Sequence, residues 1–281
     1  VRDLIEAFLA HLADETNGAS VHTLSAYRTD LTQLTRALDG DVTRLSRPRL
    51  STYLADRERC YAAPATVARK AACIASFCRW LVERGVLEDN PAAGLARPVG
   101  PSPVRAITDA QVDALMAAAT RKGPRDAAML RLMVCAGLTA SEIVAQDVAD
   151  LDLTTNYLRV SRDDYERCVP LDDDTAAVVR DHLGAHRAGL LFANHRGGPL
   201  TRQGLWTIVK GHCVTANLPA DVSARTLRNV FALRLLRQQT GLRDVQALMG
   251  HAEISTTQRY LDAYRAELRT RRAAKAMKEA A

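Results

Sequence analysis

Apolar residues recur at helical spacing through the first third of the chain. Val1, Leu4, Ile5, Phe8, Leu9 and Leu12 form one stripe, and Leu24, Tyr27, Leu31, Leu34 and Leu38 form a second. Leu50, Tyr53 and Leu54 mark a short third helix. Val67, Ala71, Ile74, Cys78 and Leu81 run down a fourth, closed by Gly85 as a C′ residue. Basic side chains, Arg28, Arg69, Lys70 and Arg79, interrupt the polar faces and read as solvated. Asn90-Pro91 stops this region, and prolines 98, 101 and 103 follow, the signature of a linker. The word Thr108-Asp109-Ala110-Gln111 is a capping box that opens a new helix with Val112, Leu115 and Met116 on its buried face.

Only one stretch changes period. Asn156–Ser161 alternates, Arg162-Asp163-Asp164 can turn, and Tyr165–Leu171 can return. Ala149–Leu153 offers a third strand. Three strands are too few for a doubly wound sheet. The expected fold is mainly α, with a helical N-terminal domain over 1–95 and a proline-rich linker over 96–107. A mostly helical second domain with a small three-stranded sheet covers 108–265, and a basic helix covers 266–281. That last segment is weakly apolar, and such a helix is marginal unless it docks on something.

Composition narrows the partners only a little. The 281 residues are 47% hydrophobic, enough for two real cores, and a net charge of +6 mildly favours a polyanionic partner. No apolar run approaches the ~20 residues that span a bilayer. The opening stretch is amphipathic and acidic, unlike a signal peptide. The six cysteines (Cys60, Cys73, Cys78, Cys135, Cys168, Cys213) form no CxxC pair and no zinc-ligand spacing. They read as buried free thiols in a cytoplasmic protein with no structural metal and no cofactor.

The chemistry sits between Thr226 and Tyr264. Singly, Arg228 reads as an ion-pair partner, His251 after Gly250 as a helix-start residue, and Tyr260 as part of an amphipathic helix. Jointly, their order and gaps, with the flanking words LMGH and STTQRY, resemble the C-terminal motifs of the tyrosine recombinases, the phage integrases and Xer proteins. Four further segments agree in order: 20–31 with 67–92, 125–153, ERCVPL at 166–171, and 191–210. The resemblance implies a SAM-like core-binding domain followed by a catalytic domain. It also implies a protein that binds double-stranded DNA and acts in site-specific recombination or integration. In that chemistry a tyrosine attacks a phosphodiester and forms a transient 3′-phosphotyrosyl bond, which conserves the bond energy for rejoining. Cations must surround the non-bridging oxygens, and a proton must reach the leaving 5′ oxygen.

Several positions depart from the family pattern. Thr139 stands where an arginine follows Gly-Leu, Arg162 stands at the hairpin lysine, Arg225 replaces a histidine three residues before Arg228, and Asn229 replaces a basic residue. A threonine hydroxyl offers one neutral hydrogen bond, whereas an arginine fork offers two charged ones. Loss of such a donor costs about 10²–10³ in rate. Arginine stays protonated and is a poor general acid, which leaves His251 as the side chain suited to proton transfer. Two readings within the family stay open: a working recombinase with a rearranged site, or a cleavage-impaired relative with a DNA-binding, architectural or regulatory role. A helical scaffold that binds no DNA leaves the motif order unexplained.

By the same resemblance Arg28, Arg69 and Lys70 in the first domain are DNA-contact residues, as are Arg202, Gln203 and Lys210 in the second. Trp206 beside them reads equally well as buried. The C-terminal helix is expected to support self-association on paired DNA sites by exchange between subunits.

Overall fold

A computed structural model describes residues 2–14, 18–60, 64–95, 103–162 and 165–279, apart from a few side chains within them. Backbone contacts divide the chain into two units, Val1–Ser102 and Pro103–Ala281. Twelve α-helices and one three-stranded sheet lie among the described residues.

The first unit holds α1 (Arg2–Ala13), α2 (Val21–Ala37), α3 (Arg47–Arg59) and α4 (Pro64–Glu83). Ser20 caps α2 by accepting from the Thr23 N–H. The expected α4 stripe is buried throughout, and Gly85 takes a left-handed φ of 68° that ends the helix. Phe8 packs edge-on to Phe77 with ring centroids 5.2 Å apart, and Trp80 joins them from the same helix. One polar group crosses this core. Asp30, 2% exposed, accepts from Lys70 Nζ at 2.7 Å and from Arg69. Lys70 is 5% exposed and also donates to Gln33 Oε1 at 2.7 Å. The expectation that Lys70 lies on a solvated face is therefore wrong. The partner that permits its burial sits one helix away, on α2, and a buried ammonium needs such a partner.

The second unit opens with the expected capping box. Thr108 Oγ1 accepts from the Gln111 N–H at 3.3 Å, and Gln111 Oε1 accepts from the Thr108 N–H at 2.9 Å. It starts α5 (Asp109–Lys122), followed by α6 (Pro124–Cys135). Between Asp126 and Val134 every residue of α6 but Arg131 is buried, as befits a central helix packed by α5, α8 and α10. Asp126 is tolerated there because its carboxylate meets His212 Nε2 at 2.8 Å and the Arg125 guanidinium.

Gly137 turns the chain between α6 and α7 (Ala140–Ala145) with φ 66°. A side chain here would be strained by that φ and would overlap the Phe231 ring. The sheet follows, with β1 (Leu151–Asp152), β2 (Tyr157–Arg162) and β3 (Tyr165–Pro170) in antiparallel order β1-β2-β3. β1 is shorter than the expected Ala149–Leu153, because Val148–Asp150 forms a 3₁₀ turn capped by Asp147. Arg162, expected in the turn, still pairs with Tyr165, and Asp163-Asp164 lie outside the described residues. Along β3, Arg167 and Val169 are buried while Glu166, Cys168 and Pro170 are exposed, so a guanidinium points inward.

Five helices complete the unit: α8 (Asp173–Leu183), α9 (Arg202–Thr215), α10 (Ala224–Arg237), α11 (Leu242–Met249) and α12 (Ile254–Glu279). The basic segment expected over 266–281 is the continuation of α12. Glu267 anchors it to α10 through Arg237 at 3.1 Å and also pairs with Arg271 at 2.5 Å. Residues 269–274 and Met277 beyond it are exposed.

The expected linker over 96–107 falls partly outside the described residues, at 96–102. Its last residues join the second unit, where Ile107 is buried. All six cysteines are free, but Cys60 and Cys168 are exposed rather than buried. Cys60 caps the end of α3, and Cys168 lies on the outward face of β3. Among the described residues no helix is long and apolar enough to cross a membrane, and no cluster of three His, Cys, Asp or Glu is placed to hold a metal ion.

Candidate active site

The centre of the site is a carboxylate that the motif reading passed over. Thr139 is the N-cap of α7, and its hydroxyl accepts from the Glu142 N–H at 3.2 Å. Glu142 returns the contact, accepting from the Thr139 N–H at 2.7 Å. The same carboxylate receives Arg167 Nη1 at 2.8 Å and Nη2 at 3.0 Å, a bidentate pair, and Arg228 Nη1 at 3.3 Å. Burial pushes the Glu142 carboxyl up, but Arg167, the Thr139 N–H and Arg228 together outweigh it and hold the group below its ordinary value. It is an anion between two buried cations.

Arg228 comes from α10, which Ser223 and Thr226 open as a capping box. Its guanidinium also donates to the Gly137 carbonyl at 2.5 Å and to the Met249 carbonyl. Met249 ends α11, so the second contact places the cation at the negative end of a helix. Gly250 then adopts the left-handed cap with φ 63°, and His251 leaves it directly toward the site. Its Nδ1 lies 2.9 Å from Thr257 Oγ1, and its ring stacks on that of Tyr260 at 5.9 Å and 11°. Thr257 and Tyr260 share α12, so one helix positions both the histidine and the phenol.

Burial, with Arg228 and Arg167 adding to it against Glu142, lowers His251 to about 4. The imidazole is therefore neutral at physiological pH and keeps one N–H as a donor. The Tyr260 hydroxyl donates to Asn229 Oδ1 at 2.9 Å. Burial pushes the phenol's pKa above its ordinary value and so disfavours ionisation, while the charges of Arg228, Arg225 and Arg259 act the other way. Arg225 is exposed on α10, near enough for its charge to act on the phenol.

The structure thus brings Arg228, His251, Tyr260 and Arg225 together, with Thr139 next to the Glu142 that pairs with Arg228. Of Arg162 only the backbone is described, at the end of β2. Tyr264, one turn beyond Tyr260, packs on the core of the unit. Sequence reasoning missed Glu142 and Arg167. Both left a signal: a T-x-x-E word at 139–142, and a charged residue at an inward position of an alternating strand.

The expected DNA-contact residues fall into two groups. Arg202 and Gln203 are exposed in the first turn of α9, and Arg28 is exposed while paired with Glu6 at 2.6 Å. Arg69 and Lys70 are engaged with Asp30 inside their own unit. Lys210 donates to the carbonyls of Ala220 at 2.5 Å and Val222 at 2.7 Å, which fastens α9 to the loop before α10. Trp206 is 51% exposed, against its reading as a buried residue, because it faces outward between Gln203 and Lys210.

The family of phage integrases matches residues 105–267, and the phage integrase N-terminal SAM-like domain matches residues 5–85. The chain is 38% identical to a tyrosine recombinase XerC of Roseiflexus castenholzii over 92% of its own length and 88% of that protein's. It is 35% identical to a tyrosine recombinase XerD of Ralstonia nicotianae, with 90% and 88% covered. Among solved structures, a lambda integrase (75–356) dimer bound to a COC′ core site superposes with TM-score 0.77 at 16% identity, covering 92% of this chain and 94% of that one. The Tn1549 transposon integrase in complex with transposon right end DNA gives 0.75 at 15%, covering 95% and 98%. The chain belongs to the tyrosine recombinase (phage integrase) family.

Two outcomes follow from this geometry. Glu142→Gln keeps the shape of the side chain but leaves two buried guanidiniums without an anion. It is expected to lower stability by about 3–5 kcal/mol, read from urea unfolding of the full chain. His251 has a folded pKa below its unfolded value of 6.5, so the unfolded state binds the extra proton first. Its contribution to stability is complete above pH 6.5 and is lost as the pH falls toward 4. NMR titration of the His251 ring is expected to give a midpoint near 4, and His251→Gln to flatten the acid limb of stability against pH.

Proposed function

We propose that this protein binds duplex DNA and acts in site-specific recombination or integration, with Tyr260 as the nucleophile that forms a transient 3′-phosphotyrosyl link. The observation that carries the reading is the meeting of Arg228, His251 and Tyr260 in one half-buried site, with Arg225 at its edge. In the reaction the Tyr260 oxygen bonds to phosphorus, the phosphorus–5′-oxygen bond breaks, and the leaving oxygen takes a proton. The phenolic proton is lost to solvent. Arg228 and Arg225, with Arg162 at the end of the hairpin strand, supply positive charge to the non-bridging oxygens. His251 donates its ring N–H to the phosphate. The anion it faces raises the histidine's affinity for a proton, which suits it to protonate the leaving group.

A second reading has its own support. The Thr139 hydroxyl is occupied as a helix cap, so no charged fork stands at that position. On this reading the protein binds DNA but cleaves weakly, and its role is architectural or regulatory.

The deciding experiment is covalent trapping on a nicked suicide duplex. An adduct that Tyr260→Phe abolishes and Tyr264→Phe retains supports cleavage by Tyr260, and the reverse pattern refutes the assignment. Thr139→Arg is expected to raise adduct yield about 10²-fold. A non-additive Thr139→Arg/Arg225→His double mutant would place both positions in one site. No adduct from any variant, with salt-sensitive DNA binding intact, favours the second reading.

Assembly on paired sites is assigned to the tail of α12 beyond Glu267, whose exposed residues include Met277. Truncation after Leu268 is expected to leave binding to a single site unchanged and to remove cooperative binding to paired sites. Undiminished cooperativity would refute that role.

A further inference from the structure

Asn229 follows Arg228 on α10 and is buried. Its amide makes two contacts of opposite polarity. Nδ2 donates to the main-chain carbonyl of Arg105 at 2.7 Å, and Oδ1 accepts from the Tyr260 hydroxyl at 2.9 Å. The first contact fixes the second. A reversed amide would set Oδ1 against the Arg105 carbonyl, two acceptors with no proton between them. While that carbonyl is in place, Asn229 presents only an acceptor to the phenol.

An acceptor stabilises the neutral phenol and gives the phenolate nothing. An amide oxygen is also far too weak a base to remove the proton. The other groups that act on Tyr260 pull the opposite way. Arg225 and Arg228 from α10 and Arg259 from its own helix all favour the phenolate. His251 stacks on its ring and is neutral at physiological pH. Among the described residues, Asn229 is therefore the direct hydrogen-bond partner that holds the Tyr260 hydroxyl in its protonated form.

The far end of this contact lies in a telling place. Arg105 stands three residues after Ser102, the last residue of the first unit, and its side chain pairs with Asp221 in the loop before α10. We propose that Asn229 is a positioning residue that holds Tyr260 as a neutral donor, and that the place of the Arg105 carbonyl decides when it does so. With that carbonyl displaced, the amide turns and offers its N–H to the phenolate. The significance rests on Tyr260 as the nucleophile; the contact itself does not.

The test reads the phenol directly. In the full-length protein without DNA, Tyr260 ionisation is followed by ultraviolet titration as the difference between each protein and its Tyr260→Phe counterpart. Asn229→Ala is expected to lower the midpoint by about 1 pH unit, since it removes the acceptor and admits water. Asn229→Asp, an anionic acceptor, is expected to raise it. Arg105→Ala, which frees the segment from Asp221, is expected to lower it by less, and the double mutant to fall no further than Asn229→Ala alone. A purely structural role would move thermal stability and leave the midpoint in place. An unchanged or raised midpoint in Asn229→Ala overturns the proposal, and a wild-type midpoint in Arg105→Ala overturns the coupling to the segment. Should Asn229→Ala not fold, Arg105→Ala alone decides. On the nicked duplex, the pH profile of adduct formation for Asn229→Ala is expected to shift to lower pH by the same amount. If no variant forms an adduct, the cleavage reading fails while the titration still decides the contact.

Discussion

The Glu142 carboxylate is the interaction on which the second unit's site depends. Three elements distant in sequence meet on it: the start of α7 through Thr139, strand β3 through Arg167, and α10 through Arg228. Two guanidiniums at 7% and 9% exposure would be costly to bury without it. With it, each has a counter-charge, and each also donates to main-chain carbonyls, Arg167 to Leu248 and Arg228 to Gly137 and Met249. These last contacts tie the carbonyl end of α11 to the cluster, and His251 follows two residues later. The ion cluster thus sets where the histidine begins.

A surplus of positive charge results, and it acts on both His251 and Tyr260. Burial and the arginines drive His251 down to about 4, so it enters the site as a neutral donor. The same arginines act on Tyr260 against burial and against its contact with Asn229. Such a site is arranged in advance for an anion: its donors are held by partners behind them and need little reorganisation when negative charge arrives. Thr139 is a consistent part of this frame even though it carries no charge. Its hydroxyl and N–H hold α7 in register with Glu142, so the position serves the cluster from behind.

Much of the architecture is written in local patterns. The helical stripes of the first domain, the Thr108 capping box, the change of period at 157–170 and the Gly85 and Gly250 stops all depend on residues within a few positions of each other. Periodicity and capping are properties of such short windows. The order Arg228, His251, Tyr260 was legible for a related reason: the three residues lie on α10, α12 and the turn between α11 and α12, so short helices carry the spacing into space.

Other features needed the folded chain. Lys70 looks like a surface lysine in its own helix, and only Asp30, from another helix, makes it a buried one. Trp206 follows an amphipathic pattern that permits burial, yet among the described residues it stays half exposed. Cys60 and Cys168 read as small hydrophobes, but a helix end and an outward strand position leave them in solvent. Glu142 and Arg167 are separate charges in the sequence, and their pairing exists only because α7 and β3 are brought together. By itself the sequence determined most of the elements, their order and the family, because those are encoded over short distances. The burial of charge, and the contacts that hold Arg228 and Tyr260 in place, were decided by tertiary structure, because a charge can leave water only where a distant residue supplies its partner.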